Sequence, residues 1–245
     1  MIQEIMNGEN QESSSCIDKN SQFILSHFKS QEFIFPRAIM TANTNGQVYV
    51  NSQDEMMKYF AEANFIDCRI NGYPFYYEQD DNKLHPSFIY ISLDLSLCNT
   101  CKYPIRKLDY ILKQTLHKIQ QEINGHPTVL WTGGGYHIYQ PIKIVNNNPQ
   151  EEISLESISY YNQFLPYMKN DFTSQFIQFA CEYFTNGKNN SNYDLTTKSC
   201  LVHIPDSLNS KYHEKVRIVQ IWDGKEDDIK SILPIFYDSL IQRKI

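Results

Sequence analysis

The stretch Trp131-Thr132-Gly133-Gly134-Gly135-Tyr136-His137-Ile138-Tyr139-Gln140-Pro141 joins two apolar runs through three consecutive glycines. Glycine has no Cβ, so the backbone can turn freely and another molecule can approach its N–H groups. A glycine turn that follows a hydroxyl residue and precedes a histidine is a plausible phosphate cradle. The same pattern also suits a tight hairpin between Val129 and Ile138. The remaining motifs of the chain must decide between these two interpretations.

Composition indicates a globular protein with a sizeable core. The chain has 245 residues, of which 41% are hydrophobic and 13% aromatic. Its formal net charge is −6, from 22 basic and 28 acidic residues. Whole-chain electrostatics therefore do not favour a nucleic-acid partner. They do not exclude one either, because a local basic groove is what counts and metal-binding carboxylates add to the acidic total.

The N-terminal segment is polar and serine-rich. Residues 1–20 contain no apolar core of a signal peptide, and no apolar run in the chain approaches the ~20 residues of a membrane span. We therefore expect a cytoplasmic protein without a membrane partner and with reduced thiols. We predict a loose leader over residues 1–20 and a single domain over residues 21–245.

Hydrophobic periodicity predicts an α+β fold with mixed or antiparallel sheets, because strands and helices are interspersed without strict alternation. The predicted strands include 48–50, 86–95, 128–131, 201–205 and 216–222. The predicted helices are 21–35, a helix capped by Ser52 and Glu55, 106–121, 153–164, 172–184 and 227–241.

Two side chains stand out next to the glycine turn. Asp94 ends an otherwise apolar strand, where a carboxylate is costly unless it is paired, exposed or bound to a metal. His137 could pair with phosphate when protonated, or donate a hydrogen bond when neutral. Each has a simpler interpretation as well: a solvated aspartate at a strand end, and a satisfied histidine between packed tyrosines.

A single CxxC motif, Cys98-Asn99-Thr100-Cys101, does not by itself make a zinc site. Structural zinc takes four ligands, and no second CxxC or closely spaced histidine pair follows. Ligands such as His85, His117 or His126 would have to complete the set. We expect a loop with two free thiols and no zinc.

The order of the motifs resembles that of a known family. A strand ending at Asp94 is followed by a helix, by the glycine turn with His137, and then by Tyr193-Asp194. The segment Ile204-Pro205-Asp206-Ser207-Leu208-Asn209-Ser210-Lys211 comes next, although alone it would read as a strand and a Pro-Asp turn. This order, over about residues 35–223, resembles the archaeo-eukaryotic primase superfamily, and most closely its small archaeal and plasmid primase-polymerases.

The resemblance implies a primase-polymerase catalytic fold, with helices flanking the sheets and the active site between them. It implies two-metal nucleotidyl transfer, with Mg²⁺ or Mn²⁺ held by Asp94 and Asp194. The implied partners are a single-stranded DNA template, NTP or dNTP, and replication or repair proteins. The residues implied to bind nucleotide phosphates are Thr132, Gly133, Gly134, Gly135, His137, Lys211 and Arg37.

Two departures from the family pattern affect the residues that would bind metal and phosphate. Ser92 stands where the family has its first aspartate, and in the alternative register Asp94 comes first and Ser96 second. A neutral hydroxyl is a poor ligand for a hard divalent ion, so Ser92 is a doubtful metal position. Cys200 and His203 fall near positions where relatives often carry arginines.

A third departure is Asp206, which replaces the glycine that follows proline in the family motif. Together these changes weaken metal binding and phosphate neutralisation. They leave a second hypothesis, a catalytically impaired paralogue that binds nucleotide or single-stranded DNA. A third hypothesis is an interaction domain in which the glycines only form a hairpin.

Overall fold

Two antiparallel sheets organise the fold, which is mixed α+β. The computed structural model describes residues 17–28, 34–74, 86–98, 101–143, 171–189 and 195–242. The predicted helix 153–164 and the predicted metal ligand Asp194 lie outside these residues. Among the described residues, no helix is both long and apolar enough to cross a bilayer.

Strands and helices are numbered in chain order. The strands are β1 (Arg37–Met40), β2 (Val48–Val50), β3 (Arg69–Asn71), β4 (Phe88–Asp94), β5 (Thr128–Trp131), β6 (Gly135–Lys143), β7 (Leu201–His203), β8 (Leu208–Asn209), β9 (Glu214–Lys215), β10 (Arg217–Gln220) and β11 (Asp227–Asp228). The helices are α1 (17–26), α2 (Gln53–Glu62), α3 (Pro104–Ile123), α4 (Phe172–Thr185) and α5 (Leu233–Gln242), with a 3₁₀ turn over Leu95–Cys98.

The first sheet has the order β2-β1-β3-β7 and is antiparallel where its pairing is recorded. The second sheet is built around β6, which pairs with β4 and with β5, while β10 pairs with β5 at the edge. β11 adds a short parallel pairing to the far end of β6. β8 and β9 form a separate small hairpin.

The two sheets pack against each other through aromatic and histidine side chains. The Tyr73 ring stacks on Phe88 with centroids 4.5 Å apart, and the rings of His137 and His203 lie 5.2 Å apart. The other face of the second sheet is covered by α3 and α4. Side chains from both sheets and these helices form one buried core, which includes Ile91, Ile138, Leu108 and Phe176. The histidine pair therefore lies where the sheets meet.

Local sequence signals explain most of these elements. Ser52 caps α2 by accepting a hydrogen bond from the Glu55 amide, 3.2 Å away, as the sequence predicts. The predicted strands 48–50 and 128–131 are confirmed at both ends, and β4, α3 and α4 are confirmed with small shifts at their ends. At the N-terminus, Ile17 is buried within α1, so the packed part of the chain extends into the predicted leader.

The last helix begins later in the chain than the sequence predicts. Helix α5 begins at Leu233 and not at residue 227. Asp227 and Asp228 instead pair with Ile142 and Lys143 of β6, and the Asp227 carboxylate accepts a hydrogen bond of 2.8 Å from Gln140. Strand pairing and this buried hydrogen bond override a periodicity that fits a helix.

Candidate functional site

Alternation along β4 and β6 brings three predicted site residues to one face of the second sheet. Ser92 lies directly opposite His137, and Asp94 lies opposite Gly135. Opposed residues in an antiparallel pair share a face, as do residues two apart in one strand. Ser92, Asp94 and His137 therefore share a face, and His137 meets the first sheet there through its contact with His203.

His137 is a neutral histidine held between two tyrosines. Its Nδ1 lies 3.0 Å from the Tyr139 hydroxyl oxygen and 3.5 Å from that of Tyr90. Burial first, and then the charge of Arg69, lower the pKa of His137 to about 4, and the charge of Asp94 opposes them. At neutral pH the imidazole is thus uncharged and lies between two tyrosines, as its simpler interpretation describes, and phosphate binding by His137 stays a prediction.

Arg69 and His203 complete this group from the first sheet. They are opposed residues in the β3–β7 pair. Nδ1 of His203 and Nε of Arg69 are buried and have no hydrogen-bond partner among the described residues. Burial, and then the charges of His137 and Arg69, hold the pKa of His203 well below its ordinary value. We call Arg69, Asp94, His137, His203 and Lys211 the inter-sheet cluster.

Among the residues that the structure describes, the Arg69 guanidinium has one acidic partner, and that contact is loose. Its nearest terminal nitrogen is 3.9 Å from the Asp67 carboxylate, which also accepts hydrogen bonds from the Ser210 amide and hydroxyl. The Arg69 side chain is 27% exposed, so the cluster is open to solvent on this side. A carboxylate engaged by Ser210 neutralises the guanidinium less completely, which leaves Arg69 able to attract an anion.

Lys211 enters the cluster from the loop between β8 and β9. Its amide donates to the Asn209 side chain over 3.2 Å, and Asn209 in turn donates to the Thr132 carbonyl over 2.7 Å. A hydrogen bond with Tyr212, the charge of Tyr212 and the charge of Asp94 raise the pKa of Lys211. The ammonium is exposed and charged, and Asp94 is near enough to affect it.

The glycine turn is a hairpin turn that packs tightly against its neighbours. Val129 pairs with Ile138, which confirms the hairpin interpretation. A Cβ at Gly134 would lie 2.1 Å from the Tyr212 ring, and one at Gly135 would lie 2.0 Å from the Leu93 carbonyl oxygen. These glycines therefore allow close packing, and phosphate binding by the turn stays a prediction.

Two predicted phosphate ligands make other contacts. The Thr132 hydroxyl is buried and donates to the Gly135 carbonyl over 3.2 Å. Arg37 is fully buried, donates to the Ile34 carbonyl and, over 3.0 Å, to the Asn71 carbonyl, and lies 4.1 Å from the Phe28 ring centroid. In this conformation Arg37 supports the core of the first sheet and is not exposed to a ligand.

The described residues contain one of the two predicted carboxylate ligands. Asp94 is half-exposed, and its Oδ1 accepts a hydrogen bond of 2.7 Å from the Ser96 amide. No group of three His, Cys, Asp or Glu side chains suited to a metal ion occurs within the described ranges. Cys101 of the CxxC motif is a free thiol. Asp94 fits as one oxygen ligand, and Asp194 lies beyond the part of the chain that the structure describes.

Sequence reasoning did not assign Arg69, although a signal was present. In Asp67-Cys68-Arg69-Ile70, the buried Cys68 and Ile70 alternate with two charged residues. This period of two puts both charges on one face of a strand. What the pattern could not supply is the partner strand, which brings His203 opposite Arg69.

No protein-family model matches the chain, and no curated protein matches its sequence.

Proposed function

We propose that the inter-sheet cluster binds the phosphates of a nucleotide and that the chain is a primase-polymerase-type nucleotidyltransferase. The observation that carries this proposal is the pair of buried nitrogens on Arg69 and His203 that have no partner among the described residues. Such groups cost about 1–3 kcal/mol each when they stay unsatisfied. A phosphate that enters between the sheets beside the 27% exposed Arg69 side chain would offer acceptor oxygens to both, and a guanidinium suits phosphate geometry well.

The charges of the cluster fit a nucleotide with its reacting end near Asp94. Arg69 and His203 lie on the first sheet, whereas Asp94 and His137 lie on the second. Lys211, which is exposed in the loop between β8 and β9, can place its ammonium over the phosphates. Where Mg²⁺ or Mn²⁺ is bound in such sites, it lowers the pKa of the attacking 3′-hydroxyl and stabilises the leaving pyrophosphate. In this chain Asp94 would be one of the residues that hold it, together with Asp194.

His203 stands near a position where the resemblance expects arginine, and the adjacent Arg69 can supply that positive charge. The resemblance expects arginine near His203, and Arg69 lies directly across the strand pair from that position. We infer that Arg69 supplies the permanent positive charge and that His203 adds a hydrogen-bonding nitrogen. Phosphate neutralisation would then be retained although the expected arginine is absent.

Ser92 favours a second candidate function, a catalytically impaired paralogue that binds nucleotide or single-stranded DNA in replication or repair. Ser92 shares the face of Asp94 and lies opposite His137, where a second carboxylate would be within reach of the same ion. A hydroxyl in that place weakens a hard-cation site. The two candidates share the nucleotide site and differ in whether a bond is then formed.

Nucleotide binding is tested first, by calorimetry with a dNTP and Mn²⁺. We expect His137→Ala and Arg69→Gln each to weaken binding by about tenfold or more, because each removes a group that contacts phosphate. His126→Ala is the matched control, since His126 is exposed and lies outside the cluster. Equal affinities of the wild type, His137→Ala and Arg69→Gln would reject the site.

Strand extension then separates the two candidates. Purified protein is incubated with a primed single-stranded DNA template, dNTPs and Mn²⁺. Extension that Asp94→Asn abolishes identifies an active enzyme. Binding without extension, with activity gained by Ser92→Asp, identifies an impaired paralogue. A chain that neither binds a nucleotide nor extends a primer contradicts both candidates.

A further inference from the structure

The outer face of α3 carries tyrosines and cations in helical spacing. Tyr103, Arg106, Lys107, Tyr110 and Lys113 recur three or four residues apart and are all exposed, and we call them the α3 stripe. Tyr103 is 55% and Tyr110 58% exposed. The apolar face of the same helix is buried against the second sheet through Leu108, Ile111 and Leu112. The stripe is therefore a surface feature and not part of the core.

The stripe is strongly basic in a chain that is acidic overall. Residues 102–114 contain four cations and one acid, whereas the whole chain has a net charge of −6. The single acid, Asp109, accepts a hydrogen bond of 2.8 Å from the Tyr136 hydroxyl. Its charge is thus directed toward the sheet and away from the stripe. A local positive surface of this kind attracts phosphate even on an acidic protein.

Cations lie over the exposed rings at 5.2–5.9 Å, and they come from more than one element. The Lys102 ammonium and the Arg106 guanidinium lie 5.5 and 5.2 Å from the Tyr103 centroid. Lys188, which follows α4, lies 5.9 Å from the Tyr110 centroid. Each tyrosine is therefore a flat platform with at least one positive charge at hand. Single-strand binding proteins combine aromatic stacking and backbone neutralisation in this way.

The stripe begins next to the strand end that carries Asp94. β4 ends at Asp94, the 3₁₀ turn Leu95–Cys98 follows directly, and this turn packs against α3. From Tyr103 to Lys113 the helix rises about 15 Å, at about 1.5 Å per residue. A strand lying along the stripe would thus start near the Asp94 end of the sheet and extend along the outer face of α3.

We propose that the α3 stripe binds single-stranded nucleic acid, with bases stacked on Tyr103 and Tyr110 and phosphates on Arg106, Lys107 and Lys113. An anionic membrane is the less suitable occupant, because membrane-surface helices need an apolar face free for the lipid, and that face of α3 is buried. The inference deepens the proposed function by giving the template a surface, and in that respect it rests on it. The binding surface itself can be tested separately.

Fluorescence anisotropy with labelled oligo-dT and oligo-rU of about 12 nucleotides measures the affinity directly. We expect Arg106→Glu with Lys107→Glu to weaken binding at least tenfold and to reduce the slope of log K against log salt by about two. The matched control is Lys58→Glu with Lys198→Glu, which makes the same change of charge at exposed positions elsewhere. This control should keep most of the affinity.

Stacking is tested at Tyr110. Tyr110→Ala should lower the affinity by about fivefold or more, and Tyr110→Phe should retain it, because the ring is what stacks. Circular dichroism on each variant checks that these exposed substitutions leave the fold intact. Equal loss in the stripe and control double variants overturns the inference. Binding of phosphatidylserine vesicles that the stripe variants abolish, without effect on the oligonucleotides, also overturns it.

Failure of this inference can be told apart from failure of the nucleotide site. His137→Ala should weaken dNTP binding by about tenfold or more and leave oligonucleotide affinity unchanged, since His137 is not in the stripe. If oligonucleotides bind through the stripe and no nucleotide binds to the cluster, the stripe stands and the proposed function fails. If nucleotides bind and the stripe variants bind oligonucleotides like the wild type, the stripe fails alone.

Discussion

His203 is the residue that best separates function from stability in this protein. It is 5% exposed, and its Nδ1 has no hydrogen-bond partner among the described residues. His27 is equally buried, but both of its ring nitrogens lie within hydrogen-bond distance of an oxygen, 2.9 Å from the Phe23 carbonyl and 2.7 Å from the Thr128 hydroxyl. An unsatisfied buried nitrogen is a cost in the free protein that a ligand can remove.

We expect His203→Leu to raise the free energy of unfolding by about 1 kcal/mol and to weaken dNTP binding, because the substitution removes an unsatisfied polar atom that the ligand would use. His27→Leu is the matched control and should lower the free energy of unfolding by about 1–3 kcal/mol, since the Phe23 carbonyl and the Thr128 hydroxyl both lose their imidazole partner. Urea unfolding and calorimetry on both variants measure the two effects. Equal destabilisation by the two substitutions would show that His203 is satisfied in the folded protein.

Single residues were predictable where a local motif marks them. Asp94 and His137 follow from the strand and the glycine turn, and the charge of Asp94 acts on both His137 and Lys211 in the structure. Arg69 and His203 were not assigned, because their proximity depends on pairing between strands far apart in the chain. Asp206 was marked by the sequence, and the structure supplies the reason. Its φ of +65° explains why a glycine suits that position and why an aspartate can replace it.

At the scale of elements, the glycine hairpin is shaped by two different neighbours. Gly134 faces the ring of Tyr212, a side chain that can rotate away. Gly135 faces the Leu93 carbonyl, which belongs to the backbone of β4 and cannot move without its strand. Adjacent glycines therefore resist substitution for different reasons, which a comparison of alanine variants can resolve.

We expect Gly134→Ala to destabilise the protein by about 1–3 kcal/mol through overpacking, and Tyr212→Ala to relieve that loss in the double variant. Gly135→Ala should cost more, and Tyr212→Ala should not relieve it, because the collision is with the backbone. Urea unfolding of the two double-mutant cycles gives the coupling energies. A coupling energy of zero between positions 134 and 212, or a clear one between 135 and 212, would contradict this packing.

Elements with strong local signals were predictable, and those set by pairing were not. The buried face of α3 and the cap of α2 are local features, and both are confirmed. The segment at 227–228 has helical periodicity, yet it forms β11 because Asp227 reaches Gln140 and the backbone pairs with β6. The primase-polymerase fold itself stays a prediction, since the structure supports the coarser α+β class with antiparallel sheets.

At the scale of the whole molecule, burying histidines between packed layers links folding to pH. Burial lowers the pKa of both His27 and His137 to about 4, whereas an unfolded histidine titrates near 6.5. Between these values the unfolded chain binds more protons than the native one, so the free energy of unfolding falls as the pH falls. Asp227 has the opposite effect, because burial, followed by the charge of Asp223, raises its pKa to about 6.

We therefore expect stability to depend on pH in a way that single variants can dissect. His137→Asn should reduce the loss of unfolding free energy between about pH 6.5 and pH 4 by up to about 1.4 kcal/mol per pH unit, since one histidine no longer takes up a proton on unfolding. Asp227→Asn should make the loss steeper, because the native carboxylate that binds a proton below about pH 6 is removed. Urea unfolding at several pH values compares each variant with the wild type, so that the groups they share cancel. A steeper profile for His137→Asn or a shallower one for Asp227→Asn would mean that these side chains are not buried as the packed sheets require.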